Sequence, residues 1–168
     1  MLHVAMKDDG EKIVSASRIT QVLVVEDFGP FREFICSTLG KRPEFRIIAE
    51  ASDGLEAVRG AEELQPDFVF LDISLPRLNG MAAARRIRTL SPQSKIIFVS
   101  QESDPDVVQE AFNLGATGYV AKTNAGTDLL AAVDAILEGR QFVSAVLSGK
   151  GSRPSVATRQ PLVAAPAP

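Results

Sequence analysis

One cysteine, Cys36, and one histidine, His3, are all that the chain holds of those residue types. A lone thiol excludes a disulfide framework and a cysteine-built zinc site. His3 lies in a weakly patterned N-terminal stretch and reads as incidental. Long hydrophobic runs are missing too, since none approaches the roughly 20 residues that span a bilayer. Met1 to Lys12 carries Asp8, Asp9 and Glu11 where a signal peptide needs an apolar core. A cytoplasmic protein is expected. Excess charge is also scarce: 18 basic against 21 acidic residues leave a net −3, with no overall nucleic-acid signature. No glycine-rich phosphate loop follows Val25, which counts against flavin or dinucleotide binding.

What is present is an ordinary globular composition, 45% apolar, in 168 residues, enough for one domain and some excess. Residues 1–18 read as an extension, 19–144 as the folded domain and 145–168 as a Pro/Ala-rich basic tail without the periodicity to fold alone. From Thr20 to Gly139 strand and helix patterns alternate. Short apolar runs read as buried parallel strands. Arg46-Ile47-Ile48-Ala49 supplies the second strand. Between the strands, Phe34, Ile35, Thr38 and Leu39 mark one helical face, and Leu55, Val58, Ala61 and Leu64 another. Asp53 with Glu56 is an N-cap signal, Asn79-Gly80 opens a helix carrying Met81, Ala84 and Ile87, and Asp104-Pro105-Asp106 starts the next. Its expected buried face is Val108, Ala111, Phe112 and Gly115; the last helix shows Leu129, Leu130, Val133, Ile136 and Leu137. Phe45 and Phe68 are expected in the core, and Cys36 as a helix residue of modest burial. Five strands and five helices in alternation predict an α/β domain with a parallel sheet and right-handed crossovers.

Chemistry gathers where the strands end. Val22–Val25 runs into Glu26-Asp27, Phe68–Leu71 into Asp72, Ile96–Val99 into Ser100, and Tyr119–Ala121 into Lys122. Ligands of open parallel sheets sit outside the carboxyl ends of the strands. Carboxylates brought within about 4–6 Å raise each other's pKa unless a cation lies among them. Magnesium, a hard cation that takes oxygen ligands at about 2.0–2.1 Å, answers that repulsion. Asp27 and Asp72 are expected as direct ligands, with Glu26 acting through water. A lysine at the end of a buried strand needs an anion, so Lys122 is expected against Asp72 and later against a phosphoryl oxygen.

Taken in order, Val-Val-Glu-Asp (24–27), Phe-Leu-Asp-Ile-Ser-Leu-Pro-Arg-Leu-Asn-Gly (70–80), Phe-Val-Ser (98–100) and Gly-Tyr-Val-Ala-Lys (118–122) carry a specific resemblance. From about Thr20 to Ser144 the chain resembles the receiver domain of bacterial two-component response regulators. Phe31-Arg32-Glu33 and the Gly-Ala-Thr-Gly-Tyr run (115–119) are similar to the NarL/FixJ subgroup. Phe28-Gly29-Pro30 departs from the subgroup's usual segment, and Thr123 stands where many receivers, though often not this subgroup, have proline; neither touches the acidic pocket.

The resemblance implies a flavodoxin-like (βα)5 doubly wound sheet of order 2-1-3-4-5. It implies that Asp72 is the phosphoacceptor, that Glu26 and Asp27 serve the Mg2+ site, and that the Ser74 backbone carbonyl joins them. Ser100 would be the switch hydroxyl, Tyr119 the switch aromatic, and Ser74 and Glu102 the positions that tune phosphoryl lifetime. A histidine kinase or phosphotransfer protein would donate the phosphoryl group. Asp72 would attack in line, Ser100 would move to the product, and Tyr119 would rotate into the space vacated. The output would be a protein target or a homodimer formed on phosphorylation, with no turnover enzyme activity beyond slow autodephosphorylation.

The subgroup's helix-turn-helix domain of about 60 residues does not fit in the 28 residues after Arg140, so direct DNA binding is not expected. A stand-alone receiver and a piece of a DNA-binding regulator both remain open. Rival readings are a phosphorylation-independent interaction module and a haloacid dehalogenase-type phosphatase. The phosphatase needs a second Asp where Ser74 stands.

Overall fold

The computed structural model describes residues 18–148. Expectations for the N-terminal extension through residue 17, His3 included, and for the tail from residue 149 lie outside these residues.

Six parallel strands form one sheet of order β2-β1-β3-β4-β5-β6. They are β1 (Thr20–Val25), β2 (Phe45–Ala51), β3 (Phe68–Leu71), β4 (Lys95–Ser100), β5 (Gly118–Ala121) and β6 (Phe142–Val143). Between them run α1 (Gly29–Leu39), α2 (Gly54–Leu64), α3 (Gly80–Leu90), α4 (Pro105–Asn113) and α5 (Ala125–Leu137). The strands hold because successive side chains alternate between two apolar layers. Val22, Val24, Phe68, Phe70, Ile97, Val99 and Val120 pack with Ile35 and Leu39 of α1 and Leu129 and Val133 of α5. Leu23, Val25, Val69, Leu71, Ile96, Phe98 and Tyr119 pack instead with Ala57 and Ala61 of α2, Met81 and Ile87 of α3 and Ala111 of α4. A sheet covered on both faces is the doubly wound arrangement.

The sheet is one strand wider than the sequence reading. Phe142–Val143 is too short for any pattern, and tertiary pairing creates it. The Phe142 and Ser144 amides donate to the Thr117 and Tyr119 carbonyls at 3.1 and 3.0 Å. The following 3-10 turn, Ala145–Ser148, lies inside the span read as tail, and Leu147 packs on the core.

Helix faces are narrower than their sequence stripes. Phe34, Leu64 and Leu137 are exposed, because each lies at the margin of the arc that meets the sheet. In α4 only Ala111 is fully buried, with Val108 and Phe112 half-buried against it. Phe45 and Phe68 are core residues and Cys36 is half-buried. Helix α1 begins at Gly29, ahead of the stripe read after Arg32, because Pro30 pre-sets its first turn. Asp53 caps α2 by accepting the Leu55 and Glu56 amides at 2.8 and 2.9 Å. The Glu56 carboxylate reaches back one residue further than a capping box would, to the Ser52 amide at 3.0 Å. Among the described residues no helix is long and apolar enough to cross a membrane.

Candidate functional site

Parallel pairing puts the ends of β1, β3, β4 and β5 on one rim. Val25 is opposite Leu71 and Leu71 opposite Phe98, so Glu26, Asp72 and Ser100 leave neighbouring strands side by side. The Asp72 amide still donates to the Val25 carbonyl at 3.1 Å, which extends the ladder to the site itself. Glycine closes the approach behind Asp72. A Cβ on Gly80 would lie 1.9 Å from the Asp72 carbonyl oxygen, so α3 can start against that backbone only with glycine there.

Carboxylate oxygens of Glu26, Asp27 and Asp72 lie within 4.8 Å of one another. Glu26 and Asp72 are buried, at 1% and 3% exposure, whereas Asp27 is exposed and leaves the cluster open to solvent. Lys122 enters from the end of β5. Its Nζ lies 3.1 Å from Asp72 Oδ2, a hydrogen bond, and 2.7 Å from Glu26 Oε2. The second approach is ionic but misdirected, so Oε2 is a buried oxygen without a hydrogen-bond donor. Oε1 of the same group accepts the Phe28 amide at 3.1 Å.

Burial raises the Glu26 pKa above its ordinary value, with the Asp72 charge adding to it, and contact with Lys122 and the Phe28 amide only partly opposes this. Burial alone would lower the pKa of Lys122; the two carboxylates outweigh it, and the ammonium is held more firmly than usual. An uneasy carboxylate beside a strongly held cation describes a site with more negative charge than one lysine balances.

Ser100 is buried, and its Oγ accepts the Glu102 amide at 3.0 Å. Tyr119 is fully buried, tilted against Phe98, and its hydroxyl donates to the Glu102 carbonyl at 2.8 Å. Burial pushes its pKa up to about 12. The sequence reading has this ring rotating into space that Ser100 vacates on phosphorylation. In this structure the ring lies in the interior, one strand from Ser100. Ser74 is exposed, and its amide donates to Asp72 Oδ1 at 3.4 Å. The Glu102 carboxylate accepts the Ser103 and Asp104 amides, each at 3.1 Å, and is thereby tied to its own loop.

Sequence reasoning missed three contributors. Arg32 donates to the Glu26 carbonyl at 2.7 Å and steadies the loop after β1. Buried Ser144 accepts the Ala121 amide at 2.9 Å and donates to Asp128 Oδ2 at 2.6 Å, joining β5, α5 and β6 just before Lys122. Phe31 lies beside the Lys122 ammonium. Arg32 reaches six residues back across one loop and the other two join segments distant in sequence, so none leaves a periodic pattern to read. A separate cavity of about 590 Å³, lined by Phe112, Asp128, Ala135, Arg140 and Phe142 among others, shares no residue with the carboxylate cluster. Its walls lack the converging charges of the rim, so size does not mark the chemistry here.

Comparison with known proteins agrees with this geometry. The family described as the response regulator receiver domain matches residues 22–134. The chain is 31% identical over 123 residues to the transcriptional regulatory protein DegU of Brevibacillus brevis, covering 73% of this chain and 52% of DegU. It is 36% identical over 109 residues to a protein-glutamate methylesterase/protein-glutamine glutaminase of Geobacter sulfurreducens, covering 65% of this chain and 29% of that protein. A crystal structure of a LuxR-family two-component response regulator from Aurantimonas sp. SI85-9A1 superposes with a TM-score of 0.74 at 32% identity, over 79% of this chain and 95% of the other. The chain spans about half the length of the curated regulators it matches (52% to 62% for DegU, LiaR and LnrK). With a parallel sheet, an acidic rim and a strand-end lysine in place, the chain belongs to the response regulator receiver domain family, among relatives of the NarL and LuxR type.

Proposed function

We propose that this receiver takes a phosphoryl group onto Asp72 from a phosphohistidine borne by a histidine kinase or phosphotransfer protein. The observation that carries the reading is the buried Asp72 carboxyl held at 3.1 Å by Lys122, inside a cluster of three carboxylates. An Asp72 oxygen attacks phosphorus, an O–P bond forms, the P–N bond breaks, and the histidine nitrogen leaves with the bonding pair. Lys122 balances charge on Asp72 before transfer and on a phosphoryl oxygen afterwards, an electrostatic contribution in a preorganised, poorly solvated site.

The residues fit a resident Mg2+. The donor set is all oxygen, which suits a hard cation, and Glu26 Oε2 is buried with no hydrogen-bond donor. Asp27 and Asp72 would hold the ion directly, Glu26 through water, and the Ser74 backbone carbonyl would complete the protein's share. When bound, Mg2+ supplies neutralisation of charge on the transferring oxygens.

The product carries nearly two negative charges where the free Asp72 carboxylate carried one. The Ser100 hydroxyl then turns from the Glu102 amide toward a phosphoryl oxygen. Because Tyr119 is tied to the Glu102 carbonyl, movement of that backbone reaches the loop before α4 and the surface of α4 and β5. Ser74, exposed beside Asp72, is placed to tune phosphoryl lifetime; Glu102 does so only if its carboxylate leaves the Ser103 and Asp104 amides. The output is a switched contact with a downstream protein or a second copy of the chain, in the cytoplasm, and not a turnover reaction. A phosphorylation-independent interaction module would have no use for a buried lysine poised on a buried aspartate.

The test is beryllofluoride or acetyl phosphate with Mg2+, followed by amide NMR. Wild-type protein is expected to shift resonances at Ser100, Glu102 and Tyr119, and Asp72→Asn to show none of these changes. An equal response in Asp72→Asn refutes the assignment.

A further inference from the structure

We propose that Phe31 is a positioning residue for phosphoryl transfer: its ring face holds the Lys122 ammonium beside Asp72. The proposal rests on the reading of Asp72 as phosphoacceptor.

The Lys122 Nζ lies 4.9 Å from the centroid of the Phe31 ring, inside the range of a cation–π contact. An ammonium carries three N–H donors and no acceptor. Asp72 Oδ2 takes one, and Glu26 Oε2 attracts the charge from 2.7 Å without lying on a donor axis. The side chain is only 14% exposed, so little water reaches the remainder of the head group. The ring's negative face supplies that side with attraction but adds no charge. A fourth carboxylate could also attract the lysine, but it would deepen the repulsion among Glu26, Asp27 and Asp72 and compete with Asp72 for the cation.

The ring is held in turn. Phe31 packs against the α1 and α5 core layer and stacks on Phe34, with centroids 5.6 Å apart and ring planes 29° from parallel. Across from it, a Cβ on Gly126 would lie 3.8 Å from the Phe34 ring, so the start of α5 is in reach of the same aromatic pair. Lys122 opens the 3-10 turn that leads into that helix. Phe31 therefore flanks the Lys122 head group, and Phe34 backs that ring beside the start of α5. Lysine has a flexible four-carbon stem, and ordering it is the entropic cost of using it. The ring–ammonium contact favours conformers that end beside Asp72. It is also weakly directional, so the ammonium can move from the carboxylate to a phosphoryl oxygen and keep the ring beside it.

The test replaces Phe31 with mono-, di- and trifluorinated phenylalanine, which keep the ring's shape while draining its face of electron density. Phosphoryl uptake from acetyl phosphate is timed at saturating Mg2+, and Mg2+ affinity is measured separately by calorimetry. The uptake rate is expected to fall stepwise with each fluorine while Mg2+ affinity stays constant. Phe31→Leu is expected to slow uptake by about 2- to 30-fold, the range that a ring–ammonium contact is worth. Phe31→Tyr restores the rate that Phe31→Leu loses. A flat rate across the fluorine series, or a matching loss of Mg2+ affinity, overturns the proposal and leaves the Asp72 reading standing. Wild-type protein that takes up no phosphoryl group sinks both.

Discussion

Replacing Lys122 with methionine removes the only ammonium or guanidinium in salt-bridge contact with Glu26 and Asp72 among the described residues, while keeping the length of its stem. Two ion pairs disappear with it, one at 2.7 Å to Glu26 and one at 3.1 Å to Asp72. At an effective dielectric near 20 their gross attractions are ~6 and ~5 kcal/mol, before the cost of burying the charges is set against them. Breaking a buried pair by removing one partner costs about 3–5 kcal/mol, because the carboxylates left behind are uncompensated. Folded domains hold only about 5–15 kcal/mol in total, so the urea midpoint of Lys122→Met should drop sharply at pH 7.5.

The pH dependence has a definite sign. Glu26 already has a folded pKa raised above its ordinary 4.5, and a raised carboxylate loses stability as pH rises through its folded value. Without Lys122 that value rises further, so the deficit opens above pH 4.5 and closes as the solution is acidified below it. The ammonium's own raised pKa keeps its stabilisation present throughout neutral pH and removes it only above its ordinary 10.5. Divalent metal should substitute in part. Mg2+ at about 100 times its Kd returns about 2.7 kcal/mol. Urea titrations at pH 7.5 and pH 4, with and without Mg2+, read all of this. Equal midpoints for wild type and Lys122→Met at pH 7.5 without Mg2+ would refute the account of the charge balance.

Gly80→Ala places a Cβ 1.9 Å from the Asp72 carbonyl oxygen and 2.7 Å from the Ile73 Cα, both backbone. Overpacking of this kind costs about 1–3 kcal/mol, and because the displaced backbone carries Asp72, phosphoryl uptake should fall with the urea midpoint. Arg42 hydrogen-bonds both oxygens of Asp134, at 2.8 and 2.7 Å, and holds that carboxyl below its ordinary 3.8. A lowered carboxylate stabilises above its unfolded pKa and loses that contribution as pH falls through the folded one. Asp134→Asn should therefore cost about 0.2–1 kcal/mol at pH 7, as half-exposed pairs do, and nothing in strong acid, as paired urea titrations would show.

The fold was legible wherever a run of apolar residues was long enough to bury. Val22–Val25, Phe68–Leu71 and Ile96–Val99 each state their strand, and the proximity of Glu26, Asp27, Asp72 and Lys122 follows from strand ends sharing a rim. What escaped had no local cause. β6 exists because two amides find the edge of β5, and Phe142–Val143 has no pattern of its own. Phe34 and Leu137 continue a helical stripe, yet each turns out of the arc that meets the sheet. The placement of Tyr119 depends on the Glu102 carbonyl and Phe98, both supplied by other segments of the chain. Phe31 faces Lys122 only once α1 and the end of β5 are folded against each other.

Reductive trapping with peptide mapping bears most directly on the central claim. Protein treated with acetyl phosphate and Mg2+, then reduced with borohydride, should carry a single modified residue, and that residue should be Asp72. Label on Asp27 or Glu26 in place of Asp72, or uptake that is unchanged when Mg2+ is chelated, would contradict the account.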